Sequence, residues 1–274
     1  DYWKFGSLFI SNYKDNFEKH IRFFNKYFHK VKDFDLKNNS YSSPYYLLTF
    51  DDGYKDNFDI AFPILKKYSV PAIFFVTTGI IGSKHLLWFD RIRFQYENLE
   101  KNNLLSQIRL KRHCKNELNS LKSFEYKQFI RYMNELTEKK IRIMMNWDEI
   151  KQLNKEGFII GSHSHTHSIL TKLNYDQQAQ EIKHSIEIIQ KQLDYNTKYF
   201  SYPEGTEYTF NEDTVSILKI FGIKYTFSIK FGINYTLTPG CALKRIGLNP
   251  SDSIPILALK IIKAVLYEYK KKIN

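Results

Sequence analysis

The chain has only two cysteines, Cys114 and Cys241, in 274 residues. Two cysteines make no disulfide framework, and neither belongs to a Cys-x-x-Cys pair, so a cysteine-built zinc site is excluded. No apolar run approaches the roughly 20 residues that span a bilayer, so no transmembrane helix is expected. Internal repeats and low-complexity tracts are absent, which argues against a repeat architecture. Acidic residues are in deficit, 29 Asp and Glu against 41 Lys and Arg, a formal net charge of +12. A surplus of that sign suits an anionic partner: nucleic acid, an acidic glycan or a lipid surface. A solvated, lysine-rich surface is the plain alternative. The basic residues are not gathered into a block interleaved with aromatics, so no nucleic-acid partner is expected. The first residue is Asp1 rather than methionine, which leaves room for a removed leader or anchor upstream.

What is present is core material. Hydrophobic residues make up 43% of the chain, which rules out global disorder. Aromatics reach 16%, with 20 Tyr and 22 Phe, enough for stacking surfaces as well as core. The length suits one large α/β domain or two small ones.

One stretch organises the rest. Tyr45 to Phe50 is an aromatic and aliphatic run, as a buried strand would be, and it ends in Asp51-Asp52-Gly53. Two carboxylates at the end of a buried strand are costly unless they bind a metal or accept protons. A helix is expected at about 57–68 and a second buried strand at 71–76, which makes a βαβ unit and a parallel pair. Upstream, Phe17, Ile21, Phe24 and Phe28 predict a helix over about 15–29. Downstream, residues 86–142 lack strand signals and suggest a helical insertion. Asn146, with Glu149 three residues on, predicts a capped helix ending near Gly157. Further strands are expected at 158–160, 198–202, 223–228 and 243–248, with helices at 176–193, 213–221 and 253–272. The polar motifs fall at the C-terminal ends of the apolar runs, where α/β barrels and open α/β sheets place their sites.

The second landmark is His163-Ser164-His165-Thr166-His167. His163 and His167 could chelate one ion from a helical turn. On an extended strand they would lie ~13 Å apart, too far to share a metal. Chelation therefore requires the chain to curl after Gly161, and that curl turns His165 away. A catalytic zinc site has three protein ligands and an open position. Asp52 is the candidate third ligand, and Asp51 is then free to act as a base. Alone, Asp-Asp-Gly is usually a turn and His-x-x-x-His is a weak signal; their joint placement after apolar strands is what gives them weight.

These residues carry a family resemblance. Thr49-Phe50-Asp51-Asp52-Gly53 resembles the first motif of the polysaccharide deacetylases, the chitooligosaccharide deacetylase-like carbohydrate esterases. Gly161 through His167 resembles their second motif, and Trp147-Asp148-Glu149-Ile150 the helix before it. Phe200-Ser201-Tyr202-Pro203-Glu204-Gly205 is similar to a variant of the third. Trp88 with Asp90, and Leu243-Lys244-Arg245-Ile246, look like features of a branch that works on capsule and lipid-linked glycans. The resemblance runs in order from Tyr45 to Leu248.

It implies a distorted (β/α) barrel forming a single catalytic domain over 1–274, with its core at about 45–250. It implies one divalent metal ion, most simply Zn2+, held by Asp52, His163 and His167, with Asp51 as catalytic base. Tyr202, Pro203 and Glu204 would form the wall that supplies an oxyanion N–H, and Trp88 would border the substrate groove. Two departures stand out. Ser201 occupies a place where the family often has an arginine that orients the base, and Arg245 is the candidate replacement, with a plain surface arginine as the alternative. No histidine follows His184, so the family's late general acid is missing.

The expected function is metal-dependent removal of N-acetyl groups from N-acetylhexosamine units of a polysaccharide or lipid-linked glycan. The basic charge and Lys270-Lys271-Lys272 suit a position at a membrane face or in the cell envelope. Two alternatives stay open at this point: a glycan-binding module that has lost catalysis, and a related enzyme acting on a non-glycan amide.

Overall fold

The computed structural model describes residues 7–31, 44–83, 85, 87–89, 143–235, 240–249 and 252–273, with side chains from residue 14 to residue 271. The expected helical insertion falls almost wholly outside the described residues, as does Asp90. In chain order the elements are α1 (Ser7–Tyr27), β1 (His29–Lys30), β2 (Tyr45–Tyr46), β3 (Leu48–Phe50), α2 (Phe62–Lys67) and β4 (Ala72–Val76). Then come α3 (Trp147–Lys155), β5 (Ile159–Ser162), α4 (Tyr175–Leu193), β6 (Tyr199–Ser201), α5 (Glu212–Ile220), β7 (Tyr225–Phe231), β8 (Ala242–Arg245) and α6 (Ile254–Ile273).

Six strands form one parallel sheet in the order β3-β4-β5-β6-β7-β8, so every strand neighbours the next in sequence. β4 explains the layering. All five of its residues are buried, and they alternate between two cores. Ala72, Phe74 and Val76 pack outward with Ile21 and Phe24 of α1, Leu65 of α2 and Ile150 of α3. Ile73 and Phe75 pack on the other side with Tyr225, Phe227 and Leu243. A strand buried on both faces reads as a continuous apolar run; here helices cover one face and strands across the curl cover the other. The sheet is curled rather than flat, a half-barrel whose edge strands β3 and β8 approach through Arg245, which hydrogen-bonds Thr49 of β3 at 3.3 Å. The distorted (β/α) barrel expected from the sequence is the observed fold.

Several local expectations change. The run from Tyr45 to Phe50 is two strands, because Tyr45–Tyr46 pairs with β1 and Leu48–Phe50 pairs with β4. The pleat continues through Leu47, so side-chain alternation does not reveal the change of partner. α1 begins at Ser7 rather than near Asp15. The helix before β4 opens with a π turn, Asn57–Ala61, ahead of Pro63. A wider turn there keeps the proline ring off the carbonyl that an α turn would bring against it. The Asn146–Glu149 capping box forms as read, and Asn174–Gln177 and Asn211–Thr214 cap α4 and α5 in the same way.

Candidate active site

Gly161 does not make the curl that the histidines need. It lies inside β5, and a Cβ there would collide with the Phe75 ring on β4. Its absence of a side chain makes room for an inward-facing aromatic. The turn is made by Ser164, at φ 64°. The His163 N–H still extends the ladder, donating to Val76 O at 3.0 Å. Two serine hydroxyls then knit the loop: Ser164 N–H donates to Ser162 Oγ at 3.2 Å, and His167 N–H donates to Ser164 Oγ at 3.1 Å.

After β3 a second turn takes shape, with Asp52 at φ 73° and Gly53 at φ 90°. A Cβ at Gly53 would come within 2.8 Å of Ile81, so glycine is needed for space as well as for its backbone. Residues 77–79, just past β4, tie the two turns together. Thr77 N–H donates to Asp52 O at 3.3 Å, and Thr78 N–H and Gly79 N–H donate to the carbonyls of Ser164 and His165. Asp52, Ser164, His167 and Glu204 all hold left-handed backbone without being glycine. Conformations of that cost persist only where surrounding contacts impose them, and functional sites are where they gather.

The two turns bring three side chains together. His163 Nε2 and His167 Nε2 each lie 3.3 Å from Asp52 Oδ1. The two imidazoles are buried and nearly perpendicular, with centroids 4.9 Å apart. His163 Nδ1 is 2.8 Å from Ser201 O, so its N–H donates there and its Nε2 lone pair faces Asp52. Asp52 Oδ1 and His167 Nδ1 are buried and have no hydrogen-bond partner. Three donor atoms that converge without bonding one another fit a cation between them. In a tetrahedral site with bonds of about 2.0–2.1 Å, neighbouring ligand atoms sit about 3.3–3.4 Å apart. Among the described residues, Asp52, His163 and His167 are the one such cluster. Burial works to raise the Asp52 pKa, but the two histidines outweigh it and hold the carboxyl well below the usual carboxylate range. Burial works to lower the His163 pKa, and the charges of Asp51 and Asp52 bring it above the ordinary value.

Asp51 stands beside this cluster but is held from elsewhere. Arg245 grips its carboxylate with two bonds, Nη1 to Oδ1 at 2.9 Å and Nη2 to Oδ2 at 2.8 Å. The Ser201 hydroxyl donates to Asp51 Oδ2 at 3.2 Å and accepts from Arg245 Nη2 at 3.1 Å. Arg245 Nε is itself fixed on Ser228 O at 2.7 Å. Burial alone would raise the Asp51 pKa; Arg245 and His163 reverse that and keep the carboxyl ionised below its ordinary range.

The residues assigned to the substrate wall are placed unevenly. Tyr202 turns inward: its ring is buried, stacks on Phe210 at 3.8 Å, and its N–H is donated to Phe227 O. Pro203 has no N–H. Glu204, at φ 59°, is exposed. Trp88 is also buried rather than open, at 7% exposure, and its Nε1–H donates to His167 O at 3.3 Å. That bond braces the backbone of the histidine loop. Phe89, which sequence reasoning passed over, stands edge-on to His167 with centroids 5.2 Å apart. His165 lies outside the cluster, stacked on His184 at 4.2 Å and bonded to Thr78 Oγ1 at 3.0 Å.

Fold and site together define a class: a curled parallel β/α sheet carrying a two-histidine, one-carboxylate cluster at the C-terminal ends of its strands. The chain belongs to the polysaccharide deacetylase family, whose sequence model matches residues 38–226. It is 25% identical over 207 residues to YxkH of Bacillus subtilis, a protein named for the same family, covering 76% of this chain and 52% of that one. It is 27% identical over 183 residues to the poly-β-1,6-N-acetyl-D-glucosamine N-deacetylase of Staphylococcus epidermidis, covering 67% of this chain and 47% of that one. The chain thus spans about half the length of these relatives. Its fold matches the Streptococcus pyogenes deacetylase PplD with a TM-score of 0.60 at 20% identity, over 90% of this chain and 86% of that one. It matches IcaB from Ammonifex degensii with a TM-score of 0.59 at 19% identity, over 90% and 88% of the two chains.

Proposed function

We propose that this chain is a metal-dependent carbohydrate N-deacetylase acting on N-acetylhexosamine units of a glycan. The observation that carries the reading is the pairing of two sites on adjacent residues: Asp52 faces two histidine nitrogens, and Asp51 is locked by Arg245. The substrate class is supported by the family match and by the names of the Staphylococcus relatives.

Asp52, His163 and His167 would hold one divalent ion, and two imidazoles with one carboxylate suit zinc. When bound, such an ion acidifies water and polarises the acetamide carbonyl. The chain's own residues supply the rest. Asp51 takes the proton from the attacking water as the C–O bond forms. The Glu204 N–H is the remaining donor on the third-motif wall, since the Tyr202 N–H is spent and Pro203 has none. It is assigned to the oxygen that gains charge. Asp51 then returns the proton to the amide nitrogen, the C–N bond breaks, and acetate and the sugar amine leave. Arg245 and Ser201 keep Asp51 aimed throughout, but a guanidinium will not donate a proton at working pH.

The test is acetate release from N-acetylglucosamine oligomers, with non-glycan acetamides in parallel, measured before and after a chelator and after each of several divalent metals is restored. Release that stops with chelation and returns with metal supports the reading. Metal binding without release from any glycan would favour a glycan-binding module instead. Release from the non-glycan acetamides alone would move the substrate class.

A further inference from the structure

α6 is apolar on two sides, and among the described residues only one side is covered. Leu257, Ala264 and Glu268 are buried, with Leu257 packed beside Ile21 and Phe24 of α1. On the outward side Ile256, Leu259, Ile262, Leu266 and Tyr269 follow one another by three and four residues. Each of these five is between 46% and 64% exposed. An apolar stripe of this length along a helix of about 30 Å is more than scattered surface hydrophobics would give.

The charges on the helix say what covers it. It carries Lys260, Lys263, Lys270, Lys271 and Lys272, of which Lys260 is paired with Asp252 just ahead of the helix, and its one acid is Glu268. Glu268 is buried and ion-paired with Lys244 of β8, so no acid remains on the outward side. The Lys263 ammonium lies over the Phe231 ring at 5.8 Å and the Lys271 ammonium over the Tyr267 ring at 4.7 Å, so both positive charges stand against aromatic rings of this helix and its neighbour. Against a second copy, this stripe would bring lysine rows together with no acid on either helix to meet them. Against an anionic lipid surface, the same lysines meet opposite charge while the stripe enters the acyl boundary and Tyr267 and Tyr269 sit at headgroup level.

We infer that α6 is an interfacial helix that lies on the surface of an anionic bilayer, held by the Leu259–Leu266 stripe and the lysines beside it. It does not cross the bilayer, since no helix among the described residues is long and apolar enough to do so. The inference goes beyond the proposed reaction and does not depend on it. It has a consequence for the site, because α6 is joined to β8 through Glu268–Lys244, and the next residue is Arg245, which grips Asp51. A helix lying on lipid would hold the strand that positions Asp51 close to the membrane surface.

The test is flotation of the full chain with two kinds of vesicle, pure phosphatidylcholine and phosphatidylcholine mixed with phosphatidylglycerol. The expected result is flotation with the anionic vesicles, much less with the neutral ones, and release by salt. Leu259→Glu with Leu266→Glu should cut the bound fraction by at least about tenfold. Its melting temperature and its acetate release from a soluble oligomer should stay at wild-type values, which separates lipid binding from folding and from the reaction. Lys263→Glu with Lys270→Glu should remove the preference for anionic vesicles. The inference is overturned if the wild type stays in the aqueous fraction with both vesicles, or if the leucine variant floats as well as the wild type. It is also overturned if light scattering finds a wild-type dimer that the leucine variant breaks, because the stripe then belongs to a second copy.

Discussion

Arg245 and Asp51 stand at opposite edges of the curled sheet, on β8 and just past β3, and are joined by two hydrogen bonds across it. One contact thus fixes the orientation of the carboxylate and spans the gap between the edge strands. Arg245→Ala should lower kcat by about 10²-fold with KM little changed, because a misaimed base costs turnover rather than binding. Arg245→Lys should recover little, since an ammonium cannot reproduce a planar two-bond grip. Metal content should stay near wild type in both. Steady-state kinetics with metal analysis on the same samples checks this, and a loss confined to KM would contradict it.

The adjacent aspartates should separate on substitution. Asp51→Asn removes a proton acceptor and leaves the three converging donors in place, so metal should be retained while kcat falls by about 10²–10⁴-fold. Asp52→Asn takes away the carboxylate that both Nε2 atoms face, so metal should be lost first and activity with it. Isothermal titration of metal into the chelated proteins distinguishes the two. Equal metal loss in both variants would merge the two roles.

Much of this site was legible because it rests on local patterns. An apolar run that stops at two acids, and histidines four apart after a second run, need only strand geometry and ligand chemistry to interpret. Other features depend on what lies opposite in space. The sequence offers Arg245 as the stand-in for the arginine missing at Ser201, but a plain surface arginine reads equally well until β8 is found opposite β3, 44 positions after Ser201. Gly161 looks like a turn former, and only the Phe75 ring reveals that it is a gap filled by a neighbour. Trp88 reads in the sequence as a border of the substrate groove, and nothing there shows that its Nε1–H reaches the His167 carbonyl. The outward stripe of α6 was hidden because Leu257 and Leu259 look alike in sequence, and which of them is covered is decided by α1.

The burial of Trp88 changes what its removal should do. Trp88→Phe keeps most of the packing and deletes the Nε1–H bond to His167 O. Loosening the backbone behind a ligand weakens the ligand, so metal affinity should fall by about 10–100-fold. KM for a short oligomer, measured at saturating metal, should stay close to wild type. Competition against a fluorescent zinc chelator reads the first effect. A raised KM with unchanged metal affinity would return Trp88 to the substrate groove.

Asp56, at the start of the π turn, gives a pH-dependent test of stability. Burial raises its pKa, Asp59 adds to that, and the Asn57 N–H only partly opposes them, leaving it at about 6. With the folded pKa above the unfolded one, the folded state favours the protonated carboxyl. Stability therefore falls as pH rises from about 4 through about 6, and the full penalty is present above that window. Asp56→Asn should stabilise the protein at pH 7 by at most about 3 kcal/mol and give no gain below about pH 4. Denaturant melts across that range check it, and an equal gain at both ends would mean that charge is not the cause.

The last prediction concerns the proton for the departing amine. An unprotonated sugar amide anion is a very poor leaving group, so a donor must stand near the nitrogen. No histidine follows His184 in the chain, and the two donors in question are Asp51 and His165. Their placements differ. Asp51 adjoins the Asp52 cluster and is held in one orientation by Arg245 and Ser201. His165 is on the far side of the loop, with one face against His184 and Nδ1 on the Thr78 hydroxyl. Bringing it to the reacting carbon would mean breaking both contacts and undoing the Gly79 N–H bond to its own carbonyl, 2.8 Å long. His165→Ala should therefore keep its metal and lose less than about tenfold in kcat, below the usual worth of a general acid. The same substitution in an Arg245→Ala background should give losses that multiply, because the two residues share no partner. If His165→Ala instead abolishes turnover while metal stays bound, the loop must turn inward during the reaction, and Asp51 cannot be serving as both base and acid.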